Sequence, residues 1–173
     1  MVVDLSIMPS GGESGGVKPF IVEYLRQLAA LEGEHLVLIF LTGSASHAEI
    51  RLMARTHDEL VCVRDTAPES TDRVGNWRSG ERVLCPPPLD LLLQLEADLF
   101  YSPLGLPHFA CPGIPTIATI VDVLHRDYPS TLTPQLNAVR EDLFRELVKI
   151  CDRFQCISQI GRASCRERVC QYV

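Results

Sequence analysis

Apolar residues recur along the chain in two alternating rhythms, short runs of strand length and longer stretches with helical spacing. Val2 to Met8 is short, apolar and β-branched, with punctuation directly behind it, and predicts a strand. Pro9 to Gly16 reads as a glycine-rich loop. Phe20, Ile21, Tyr24, Leu25 and Leu28 then share one face of a helix that ends near Leu31-Glu32-Gly33. Pro19 sits in its first turn, where a missing N–H costs nothing. His35 to Leu41 is a near-continuous apolar run, the pattern of a strand covered on both faces. Ser44 or Ser46 is placed to cap a helix running through Met53-Ala54-Arg55, and Leu60 to Val63 is a third short strand. Asp65 to about Pro88 turns polar, broken by Gly75, Gly80 and Pro86-Pro87-Pro88, which predicts a long loop with one short helix around Trp77. Loops of that length are usually functional or mobile.

The rhythm resumes with a short helix over Leu89 to Leu95 and a strand over Asp98 to Ser102. A second irregular loop, Leu104 to Gly113, carries His108. Pro115 to Val121 is rich in β-branched residues and is the clearest strand of the chain. Polar residues gather directly behind it, from Asp122 through His125, Arg126 and Asp127. Open α/β sheets place their ligands beyond such a strand end. Thr133 followed by Pro134 is a strong helix start, and Leu136, Val139, Leu143, Leu147 and Ile150 predict its buried stripe. Glu141 and Arg145 form a favourable exposed pair on it. Arg153 to Ser158 is one more strand. Strands and helices alternating through short connections predict an α/β domain with a mostly parallel sheet, without internal repeats.

Composition narrows the classes. A chain of 173 residues, 46% hydrophobic and 22% charged, suits about one globular domain. A formal net charge of −6 argues against a nucleic-acid-binding face. The longest apolar run, Leu36 to Leu41, is far short of a membrane span, and the start lacks a basic region ahead of Asp4, so a cytoplasmic location is expected. Seven cysteines without a C-x-x-C pair point to reduced thiols rather than a zinc site or disulfide framework, and no metal site is expected.

The first loop invites chemistry because a helix start behind glycines presents free N–H groups and a positive dipole end to an anion, commonly a phosphate. It lacks the P-loop ending, since Gly16 is followed by Val17 and Lys18, and it lacks the dinucleotide spacing, since Glu13 stands where a second glycine is needed. Gly12-Glu13-Ser14-Gly15-Gly16 does match the G-x-S-x-G nucleophile elbow, which keeps Ser14 open as a serine-hydrolase nucleophile. Against that reading, Pro9, Ser10 and Gly11 separate the match from its strand, and no strands precede it. A plain strand-to-helix connection is the remaining alternative.

The last stretch, Ile160 to Val173, is basic and non-periodic, and Ile160 to Val169 resembles the translation of a common short-read sequencing adapter. It is therefore set aside from the fold as an artefactual tail, leaving residues 1–159 as the domain.

Several motifs in order then resemble the N-terminal domain of family 4 glycosyltransferases. They are Gly15-Gly16-Val17-Lys18 at the first helix, Ala97 to Pro103, Ile114 to Asp122, Asp127-Tyr128-Pro129, and Cys151 to Ser158. The resemblance spans Val2 to Gln159 and implies a Rossmann-like three-layer domain, the N-terminal half of a GT-B fold. It implies transfer of a sugar from a nucleotide-sugar donor to an acceptor, with retention and without a metal or other cofactor. By that resemblance Gly15, Gly16 and Val17 meet the donor's diphosphate, with Lys18 beside the phosphate. Asp122 matches the family's His-Asp element, with Val121 in the histidine's place and His125 offered as its partial replacement; these two are the catalytic candidates. Arg140 and Ser158 fall on the acceptor side. The family's paired glutamates lie in a second domain, so the resemblance also implies a chain continuing beyond Gln159 and no transfer by this segment alone. The alternative is a stand-alone α/β domain holding a phosphorylated ligand without catalysis.

Overall fold

The computed structural model describes residues 1–11, 16–32, 35–63, 81–84 and 89–157. The described residues form a seven-stranded sheet in which every pairing is parallel. Its strands are β1 (Val2–Leu5), β2 (Ile39–Thr42), β3 (Glu59–Val63), β4 (Glu81–Leu84), β5 (Phe100–Ser102), β6 (Thr116–Ile120) and β7 (Arg153–Cys156), in the order β4-β3-β2-β1-β5-β6-β7. The helices are α1 (Val17–Glu32), α2 (His47–Met53), α3 (Leu91–Gln94), α4 (Leu124–Asp127) and α5 (Pro134–Ile150).

Alternation along the central strands builds two cores. Val3, Leu5, Phe40, Leu60 and Tyr101 point to the face covered by Ile21 and Leu25 of α1 and Ile50 of α2. Val2, Ile39, Leu41, Val61 and Phe100 point to the other, where Leu91 and Leu92 of α3 lie. Phe100 pairs with Thr116, so Ala118 and Ile120 share its face, and there they meet Phe144 and Leu147 of α5. Helix, sheet and helix thus make the three layers of a Rossmann-like α/β domain.

The chain steps from β1 outward to β4, returns beside β1 as β5, and steps the other way to β7. This reversal between β1 and β5 is the topological switch point, and the carboxyl ends of these strands open onto it. Gly43, just past β2, is required by the close approach of Ser6, just past β1: a Cβ there would collide with the Ser6 carbonyl oxygen.

Two expectations need correction. The polar stretch expected to be a loop contains β4, an edge strand of only four residues, too short and too polar to show periodicity. The expected helix around Trp77 lies outside the described residues, as do Ser158 and the whole of the expected artefactual tail. On α5, Thr133 does cap, accepting from Leu136 N at 3.2 Å, and Glu141 accepts from Arg145 Nε at 3.1 Å. Of the predicted stripe, however, only Leu147 is buried, together with Phe144; Leu136, Val139, Leu143 and Ile150 are exposed.

Candidate functional site

A cleft of about 270 Å³ opens at the carboxyl end of β6, between the loop after β5 and helix α5. Its floor is the strand end itself, Thr119 to Asp122, and His125 of α4 and Arg140 of α5 close one side. Asp122 leaves the strand and folds back on its own chain, its Oδ1 accepting Leu124 N at 3.0 Å. The same oxygen accepts Arg140 Nη1 at 2.8 Å, so residues 18 apart in sequence share one anchored ion pair. Both side chains remain partly open to water.

His125 is buried yet lines the cleft. Among the described residues its Nε2 has no hydrogen-bond partner, although Glu141 Oε2 lies 3.4 Å away. Burial, helped by the Arg126 charge, pulls the imidazole below its ordinary pKa against the opposing pull of Glu141, so the ring is neutral at pH 7. Glu141 is held by Arg126, whose Nε and Nη2 each donate to it at 2.7 Å, and this hydrogen bonding keeps its carboxyl below the usual range. The Arg126 guanidinium also sits 4.0 Å above the Phe144 ring. Arg126 and Glu141 thereby lock α4 against α5 and fix His125 between them. The sequence reading missed this bridge; Glu141 was legible only as the partner of Arg145.

Of the glycine loop, Pro9 to Gly11 and Gly16 are described, between β1 and α1. Gly16 directly precedes α1, which begins at Val17; Gly16 is exposed, and the space where its Cβ would stand is open. Gly15 lies outside the described residues, as does the rest of the G-x-S-x-G match up to it, including Ser14. Lys18, expected beside a phosphate, turns inward. Its ammonium donates to Pro9 O at 3.1 Å, Gly11 O at 2.9 Å and Glu49 Oε2 at 2.6 Å, and the side chain is buried. It clamps the strand-to-helix connection to α2. Nearby, buried Asp4 closes the end of β1 by accepting Ser6 N and Ser6 Oγ at 3.0 and 2.6 Å.

The structure therefore brings Asp122, His125 and Arg140 into one cleft at the end of β6, while Gly16 and Val17 follow β1, two strands away across β5. Among the described residues no three His, Cys, Asp or Glu side chains gather into a metal site, and no helix is long and apolar enough to cross a membrane. No protein-family model and no curated protein matches the chain.

Proposed function

We propose that this chain is the acceptor-side domain of a retaining, metal-independent glycosyltransferase that draws on a cytoplasmic nucleotide-sugar. The observation that carries the reading is the cleft behind β6, where Asp122, His125 and Arg140 converge at a strand end beside the switch point. The N–H groups of Gly16 and Val17 at the start of α1, with those of Gly15, receive the donor's diphosphate, where preorganised donors stabilise the charge that develops on the leaving group. Lys18 holds the connection that carries them. In the transfer, the anomeric carbon leaves a diphosphate oxygen and bonds the acceptor oxygen, while the acceptor's proton passes to the diphosphate. Asp122, fixed by Leu124 N and Arg140, orients the acceptor hydroxyl, and neutral His125 offers it a second polar contact. Ser158 lies on the acceptor side of the same reading. The donor's sugar and nucleotide are held by a second domain encoded beyond Gln159, so the segment alone does not turn over.

The test compares nucleotide-sugar turnover by the product of the whole reading frame with that of the 173-residue chain. Turnover by the first and none by the second is expected; turnover by the isolated chain refutes the division of labour. The competing reading, a domain that only holds a phosphorylated ligand, predicts saturable phosphate-ester binding by the chain and no transfer by either protein.

A further inference from the structure

We infer that the β6 cleft recognises a vicinal diol on a six-membered ring, held by the open atoms of the Asp122–Arg140 pair. The inference rests on the transferase reading in that it names its acceptor; the site itself follows from the geometry of the pair. Arginine and aspartate can fork onto each other through two parallel hydrogen bonds. Here they do not. A single hydrogen bond joins them, Arg140 Nη1 to Asp122 Oδ1 at 2.8 Å, and the same oxygen also accepts Leu124 N at 3.0 Å. Asp122 is thus fixed through one oxygen, while its Oδ2 makes no hydrogen bond among the described residues. Of the five N–H groups of a guanidinium, Arg140 uses one in this way. Both side chains line the cleft and stay open to it, Asp122 at 46% and Arg140 at 35% exposure.

These open atoms set the chemistry of the ligand. A carboxylate only accepts and a guanidinium only donates, so the ligand must offer a donor beside acceptors. Neighbouring hydroxyls do both: one donates to Oδ2, and their two oxygens accept from the guanidinium. A carboxamide meets the pair less fully, with one acceptor oxygen for several N–H groups. Charge narrows the class further. Asp122 and Arg140 cancel, His125 is neutral, and Arg126 is held by Glu141, so the cleft draws neither an anion nor a cation. The ligand is neutral.

The rest of the cleft seats the ring. Leu104 and Leu106 come from the loop after β5, and Leu143, 47% exposed, from α5. The C–H face of a ring covers such carbon while its hydroxyls stay at the polar end. A ring also holds adjacent hydroxyls side by side before binding, so no torsion is frozen on contact. At about 270 Å³, the volume of roughly nine water molecules, the cleft has room for one such ring with its substituents.

The experiment titrates the 173-residue chain with cis-1,2-cyclohexanediol and, separately, with cis-1,4-cyclohexanediol, following the Leu106 and Leu143 methyl groups and the Arg140 Nε resonance by NMR. The isomers share their atoms and their ring and differ in where the second hydroxyl stands. The 1,2 isomer is expected to shift these resonances saturably and to bind at least about 10-fold tighter than the 1,4 isomer, the worth of one hydrogen bond to a charged group. Arg140→Met and Asp122→Asn are each expected to bring it down to the level of the 1,4 isomer. Lys149→Met, at an exposed pair on the same helix, is expected to leave it unchanged. Equal affinity for the two isomers overturns the inference. So does silence from both, a preference that survives both substitutions in variants with an unchanged circular dichroism spectrum, or equally tight binding of cyclohexanecarboxamide. Nucleotide-sugar turnover by the whole reading frame decides the transferase reading separately. Turnover without a diol preference strikes the acceptor alone, and a diol preference without turnover strikes the transferase alone.

Discussion

Replacing Lys18 with methionine removes the ammonium while keeping an apolar stem of similar length, which isolates the clamp. The lost contacts are the two carbonyls, Pro9 O and Gly11 O, and the carboxylate of Glu49. Glu49 is half exposed and returns to water, so its ion pair accounts for no more than about 1 kcal/mol. Each carbonyl loses a hydrogen bond from a charged donor, an interaction of about 1.5–3 kcal/mol when the acceptor is left dry. Both contacts are only partly buried, and water recovers some of this. The expected loss is about 2–3 kcal/mol. With a urea slope of about 1–2 kcal/mol per molar for a small domain, the midpoint falls by about 1–3 M. Lys149→Met is the matched control: it breaks an exposed pair with Glu146 on α5, worth about 0.3–0.5 kcal/mol. Equal midpoint shifts for the two variants refute the assignment of Lys18 as a buried clamp.

The remaining predictions concern the frame. Gly43→Ala forces a methyl group against the Ser6 carbonyl, and thermal melting is expected to register a loss of about 1–3 kcal/mol; an unchanged melt refutes the close approach. Burial raises the pKa of Asp58, but hydrogen bonds from the Arg55 side chain and the Arg55 and Leu38 amides outweigh it, leaving the carboxyl below its ordinary value. A depressed folded pKa means stability that is fully present above the unfolded value near 4 and lost as pH falls through the folded one. Asp58→Asn is therefore expected to be less stable at pH 7 and to show a flatter acid limb below about pH 4; parallel pH profiles for variant and wild type contradict it.

Much of the fold was legible because burial on both faces writes itself as continuous apolar runs. Ile39 to Leu41 carries that signature plainly, and Thr116 to Ile120 shows instead in its β-branched residues. Glu81-Arg82-Val83-Leu84 does not, since a four-residue edge strand in a polar stretch has no period to detect. The α5 stripe shows a different limit. Helical spacing states which side chains share a face, and Leu136, Val139 and Leu143 do share one, but spacing says nothing of what covers it. In the site, Asp122 and His125 were found because polar residues cluster beyond a strand end. The bridge from Arg126 to Glu141 joins two helices, leaves no local pattern, and becomes visible only when α4 and α5 dock. Lys18 was noticed for its charge beside the glycine loop; that it points inward depends on Glu49, contributed by a different helix.

The central claim is most directly tested by nucleotide-sugar turnover in the product of the whole reading frame containing this segment, with Asp122 intact and with Asp122→Ala. Asp122 is partly exposed at a strand end, so the variant is expected to keep its circular dichroism spectrum and to melt only a few degrees lower, for the loss of its contacts to Leu124 N and Arg140. The account predicts turnover by the intact protein and a fall of about 100-fold or more in kcat/KM for the variant. Equal turnover by both proteins, or none by the intact one with any nucleotide-sugar, contradicts it.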